Sequence, residues 1–263
     1  MIDSKTMMQV MRYLNRDGVE DVLAWINSHP EEEILTYLDK CSNPATDDLI
    51  VITTPGTADS CSRDIQNWCK EYYRKAPDFT NPIQIAADMT DCRYILYRCR
   101  SFNHPVAIPY GVKNCSHMFA DCESFNSKVD FCSTITNCKA MFSSCHVYDQ
   151  PTTIPKNVTN CSEMFSGCVR FNQPVAIPEY TTDCSDMFRI AKRFNSKVVI
   201  PEGVKNCSGM FYGSSAFQQD VTIPRTVEKV DMMFDYEYHG HIKAPTSLQD
   251  KLEVPWHATV EWY

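Results

Sequence analysis

The apolar positions of this chain come in short bursts. In the clearest stretch, Cys161, Met164, Phe165 and Cys168 fall at i, i+3, i+4 and i+7. That spacing puts four side chains on one face of two helical turns. A few residues on, Val175 and Ile177 alternate between Pro174 and Pro178, which predicts a strand of about three residues with one buried face. One unit therefore reads as short helix, turn, short strand, turn. The same burst recurs every 23 residues. Cys stands at 69, 92, 115, 138, 161, 184 and 207, and Met-Phe at 118, 141, 164, 187, 210 and 233. A second Cys column runs through 99, 122, 145 and 168. Val106, Val129, Val175, Val198 and Val221 form one strand column, and Ile108, Phe131, Ile154, Ile177, Ile200 and Ile223 the next. A fixed period in the twenties marks stacked repeats, each burying its apolar face against its neighbours.

These columns predict an α/β solenoid of about seven 23-residue units over residues 61–229. Residues 1–60 read as an acidic, mainly helical N-terminal cap or head. Asp3 or Ser4 can cap a first helix, and Ser28, Pro30 and three consecutive acids form a second helix start. Leu49, Ile50, Val51 and Ile52, before Pro55-Gly56, predict a strand and a turn. Residues 230–263 read as a C-terminal capping segment: Val230 replaces the Cys, and the last five residues alternate. Two polar columns accompany the repeat. Asn or Asp at 91, 114, 137, 160, 183 and 206 is expected to cap each helix, and Asn103, Asn126, Asp149, Asn172 and Asn195 to satisfy backbone groups in turns.

Charge narrows the function classes. The formal net charge of −8 argues against a nucleic-acid or anionic-membrane binder, which needs a basic stripe. No apolar run approaches the span of a bilayer, and the N-terminus lacks the apolar core of a secretion signal. A cytoplasmic protein is expected, with a virion as the alternative. Eleven of the fourteen Cys stand in the two repeat columns and read as interior filling rather than metal ligands, because a 23-residue step sets them in a line rather than around a point. His239-Gly240-His241 reads as a turn rather than half of a metal site. Eight Gly in 263 residues and the lack of a phosphate loop, nucleophile elbow or paired carboxylates predict no catalytic residue, no cofactor and no enzyme.

The string M-F-x-x-C-x-x-F-N-x-P-V-x-I-P, complete from Met164 to Pro178, resembles the BspA-like bacterial surface repeats and the M-F…F-N repeats of mycoplasma-type lipoproteins. Bacteriophage-encoded Cys-containing repeat proteins are similar in flavour. The resemblance covers roughly residues 79–234. It implies a leucine-rich-repeat-like array and a non-enzymatic role as a rigid scaffold that binds another protein. If the phage likeness holds, the implied partner is a bacterial nuclease or defence complex, inhibited by steric occlusion. The alternatives are a structural or attachment component of a phage particle or bacterial surface and, second to it, an enzyme with its site in the N-terminal head.

Two sets of residues are candidates for the partner surface. The first is the acidic face of the head, Glu20, Asp21, Glu31, Glu32 and Glu33. The second is a run of cations in the unit from 184 to 206, Arg189, Lys192, Arg193 and Lys197, with Arg170 one period before Arg193. Neither nucleic acid nor membrane is expected as a partner.

Overall fold

The structure is a computed structural model that describes residues 50–52 and 82–263. The expected head helices, and with them Glu20, Asp21, Glu31, Glu32 and Glu33, lie outside the described residues. The expected strand near residue 50 is β1 (Ile50–Ile52), which pairs in parallel with β2 (Ile83–Ile85).

The α/β solenoid with helical caps is not what the structure holds. Among the described residues there is no α-helix, and one 3-10 helix, Thr246–Leu248, lies near the C-terminus. The i, i+3, i+4, i+7 bursts form consecutive tight turns instead. Met141 N–H donates to the Cys138 carbonyl at 3.1 Å and Cys145 N–H to the Phe142 carbonyl at 3.0 Å, each closing an i to i+3 turn. The alternate amides turn to the next unit. Cys138 N–H donates to the Asn160 carbonyl, Ala140 to Ser162, Phe142 to Met164 and Ser144 to Ser166, at 2.7–3.0 Å. An α-helix needs each amide for the carbonyl four residues back. Here every second one is spent between units, so the helix cannot form.

Backbone angles record the same choice. Two columns of positions have positive φ. One column is Tyr94, His117, Ala140, Glu163, Asp186, Gly209 and Met232; the other is Arg98, Asp121, Ser144, Gly167, Ile190 and Gly213. A left-handed residue at the third position of a turn suits type II geometry and is incompatible with a right-handed helix. Two such turns in series point residues 0, 3, 4 and 7 inward, which is why the apolar spacing imitates a helix.

Inside, the burst residues form a continuous core. Cys161, Met164, Phe165, Cys168 and Phe171 are all fully buried. Their aromatic members make two parallel columns of stacked rings. Phe165 and Phe171 lie 4.3 Å apart within a unit, and Phe142, Phe165 and Phe188 follow one another at 5.8 Å. Tyr148 and Tyr238 take the Phe place in one column and stay buried, their hydroxyls bonded to Thr152 Oγ1 at 2.7 Å and to the Gln219 carbonyl at 2.9 Å. Stacked pairs of this kind add about 0.5–1.5 kcal/mol beyond burial.

The opposite wall is extended. β3 (Val106–Ala107) pairs in parallel with β4 (Val129–Asp130), one period apart. At the C-terminus β5 (Val221–Thr222), β6 (His241–Ala244) and β7 (Thr259–Trp262) form a three-stranded parallel sheet in that order. Between them Val175, Ile177, Val198 and Ile200 stay buried as expected, but their segments form no ladder. His241 begins β6, so the His239-Gly240-His241 segment leads into a strand.

Candidate interaction surface

The polar columns hold units together. Each Asn or Asp at the head of a turn ribbon accepts the amide two residues on, as Asn160 Oδ1 does from Ser162 at 2.9 Å and Asp183 Oδ1 from Ser185 at 3.0 Å. The expected helix caps are therefore turn caps of the Asx kind. Their backbones form parallel bridges from Asp91 through Asn206 to Lys229. The second column links successive units directly. Asn103 Oδ1 accepts from Asn126 N–H, Asn126 from Asp149, Asp149 from Asn172, and Asn172 from Asn195, all at 2.8–2.9 Å. These side chains are committed to the stack.

The thiols are committed too. Cys122, Cys145 and Cys168 donate from Sγ to the carbonyls of Leu96, Phe119 and Phe142 at 2.9–3.0 Å, and the Ser214 hydroxyl does the same to Phe188. The column thus supplies a donor as well as volume. Ala191 fills one place and has none to offer. Loss of water around the buried sulfur pushes the Cys161 and Cys207 thiols up to about 12, and the Cys115, Cys138 and Cys184 thiols well above their ordinary range. Such thiols stay protonated at neutral pH and are poor nucleophiles and ligands. Cys132 differs. It is half-buried, stands where five other units have Pro, and lies 3.2 Å from Thr134 Oγ1. Among the described residues no group of three or more His, Cys, Asp or Glu is arranged to hold a metal ion.

Ion pairs occur on several parts of the surface, among them Arg100–Glu123 at 3.2 Å in the column of Lys192, and Lys128–Asp130 at 2.6 Å with its Lys in the column of Lys197. On the turn-ribbon face, cations meet acids. Arg98 lies 3.3 Å from Asp121, Lys139 3.3 Å from Glu163, and Arg189 3.0 Å from Asp186. Arg189 also lies over the Tyr212 ring at 4.8 Å. It therefore belongs to this neutralised face and not with the other four candidate cations. Arg170, Lys192, Arg193 and Lys197 are all exposed and make no ion pair with a described residue. The fold brings the first three of them to one corner. Arg193 N–H donates to the Val169 carbonyl at 3.2 Å, which sets Arg193 and Lys192 directly over Arg170. Neighbouring strands of a stack are about 4.8 Å apart, so the Arg column places like charges close together. Such a juxtaposition is mildly destabilising in isolation.

The family model described as "Mycoplasma protein of unknown function, DUF285" matches three overlapping stretches, residues 58–131, 90–200 and 154–243. Together they take in well over half of the chain. The chain belongs to this family. The three registers agree with a tandem repeat, and with the mycoplasma-type side of the resemblance seen in the sequence; the match makes no link to phage proteins. No curated protein and no solved structure matches the chain. Among the described residues no helix is long and apolar enough to cross a membrane.

Sequence reasoning missed the turn ribbon and a second candidate region at the C-terminal end. Gly167, Gly209 and Gly213 signal the ribbon, because each occupies a positive-φ place. At Gly209 a Cβ would collide with the Asp186 carboxylate. The exposed aromatic residues Tyr236 and Trp256 signal the second region.

Proposed function

We propose that the chain is a non-enzymatic protein-binding scaffold, whose stacked units hold a basic corner against an acidic surface of a partner protein. The supporting observation is the group Arg170, Lys192 and Arg193, with Lys197 four residues on, all exposed and without an ion pair among the described residues, beside a face whose cations are paired with acids. Complementary charge across an interface speeds encounter and selects the partner. Four cations without partners are a cost to the free protein that an acidic partner would turn into binding. The buried, protonated thiols give no nucleophile and so agree with a binding role. Because the matching family is described from Mycoplasma, a scaffold of bacterial origin is preferred to a phage-encoded inhibitor, and attachment at a bacterial surface is the alternative setting. Cytoplasmic location remains the proposal from the sequence.

The test is affinity capture from bacterial lysate with the full chain and with an Arg170→Glu/Lys192→Glu/Arg193→Glu/Lys197→Glu variant, followed by mass spectrometry. One protein held by the wild type and lost by the variant supports the reading. The same protein retained by both contradicts it.

A further inference from the structure

A shallow cleft of about 640 Å³ lies at the C-terminal end of the array, where its Ser215 follows Lys192 of the basic corner by one 23-residue period. Ser215, Gln218, Glu237, His239, His257 and two aromatic residues line it. Those two, Tyr236 and Trp256, are 64% and 94% exposed. A ring left so bare, at the edge of a cleft, is available for stacking.

The polar floor is fixed before any ligand arrives. Gln218 Oε1 accepts from His239 N–H at 2.8 Å, and Gln218 Nε2 donates to the Glu237 carbonyl at 3.3 Å. Asp235 Oδ1 accepts from Glu237 N–H at 2.9 Å. Behind the loop, the buried Tyr238 ring stacks on Phe217 at 5.9 Å and on Phe234 at 4.5 Å. His239 Nδ1 lies 3.0 Å from the Glu237 carbonyl. A carbonyl only accepts, so Nδ1 carries a proton, and in the neutral ring Nε2 is the acceptor. Tyr236 meets the Tyr212 ring edge-on at 6.2 Å. A loop pinned at so many points spends little entropy on binding.

We infer that this cleft is a binding site for a neutral carbohydrate. The face of a sugar ring is a row of C–H groups and stacks on an aromatic plate. Its edge carries hydroxyls that both donate and accept, matching an imidazole acceptor, a carboxylate, a serine hydroxyl and a second imidazole set around two rings. An apolar partner surface would strip water from those groups and leave them unpaired. The volume falls in the range of small-molecule sites. The cleft adjoins the basic corner but uses none of its four cations, so a sugar titration and a charge-reversal capture test the two readings separately.

The probes are cellotriose, chitotriose and maltotriose, titrated into the full chain while the side-chain NMR signals of His239 and His257 and the indole signal of Trp256 are followed. Binding of at least one trisaccharide is expected. It should weaken at least about tenfold in Trp256→Ala and stay within about threefold in Trp256→Phe, because an aromatic plate is what the ring needs. The thermal midpoint should not move, since the indole is exposed. The inference is overturned if none of the three sugars shifts these signals, if Trp256→Ala binds as the wild type does, or if tetramethylammonium binds there and no sugar does.

Discussion

The turn-ribbon face and the corner that carries Arg170 and Arg193 are built from the same coils at the same period, yet they treat charge in opposite ways. On the ribbon face, Arg98, Lys139 and Arg189 each reach an acid. At the corner, Arg170, Lys192 and Arg193 gather with no ion pair among the described residues, and the exposed Lys197 has none either. The stack itself needs neither arrangement. It is held by aromatic columns, inter-unit amides and the Asn ladder, all of which pass under both regions. The comparison separates what keeps the coils together from what the coils display.

The largest expected effect lies in the shared interior. A buried thiol with a raised folded pKa contributes stability that is fully present below its unfolded value, 9.0, and is lost as pH rises toward the folded value. Between pH 9 and 10 each such thiol withdraws roughly 1 kcal/mol. Cys115, Cys138, Cys161, Cys184 and Cys207 act together, and their sum approaches the whole stability of an ordinary domain, about 5–15 kcal/mol. Cooperative unfolding near pH 10, followed by circular dichroism and by thiol titration, is expected. Thiols that titrate near pH 9 while the structure persists would contradict the packing role.

Next in size is the ring column. Phe188 stacks on Phe165 and Phe211 at 5.8 Å each. Replacing it with Ala should cost about 3–5 kcal/mol in chemical denaturation. A smaller effect of opposite sign is expected at Ala191. Its neighbours in the column donate to a carbonyl, so Ala191→Cys should give the Phe165 carbonyl a second donor and stabilise the fold by about 1 kcal/mol. No gain would mean that the Cys column acts through volume alone. His117 gives a smaller effect again. Burial lowers the pKa of this imidazole below 6.5, so the native state resists protonation and stability falls as pH drops from 6.5 toward the folded value. That part of the acid sensitivity should vanish in His117→Asn, measured as the unfolding midpoint at pH 7 and pH 5.

Much of this architecture is legible in the sequence. The period, the buried columns and the inward Val and Ile positions follow from spacing, and β1 falls within the apolar stretch at 49–52. The helix does not follow, because residues 0, 3, 4 and 7 face inward both in a helix and in two i to i+3 turns in series. What decides between them is where Ala140, Phe142 and Ser144 send their amides, and that is a contact between units which local pattern does not contain. The glycines at 167, 209 and 213 are the local clue. Of the candidate surface, Arg170 over Arg193 is readable from the 23-residue step. The Asp186–Arg189 pair is also visible, as a spacing of three. Tyr236 and Trp256 meet in one cleft only through the path of residues 235–257, which has no period to read.

The most direct test measures stability and partner binding on one variant. Arg170→Glu/Arg193→Glu should leave the unfolding free energy within about 0.5 kcal/mol of the wild type or raise it, while abolishing capture of the acidic partner; Lys139→Glu, on the ribbon face, should leave capture intact. Unchanged capture by the double variant, together with a loss of stability, would show that the corner serves the stack and not a partner.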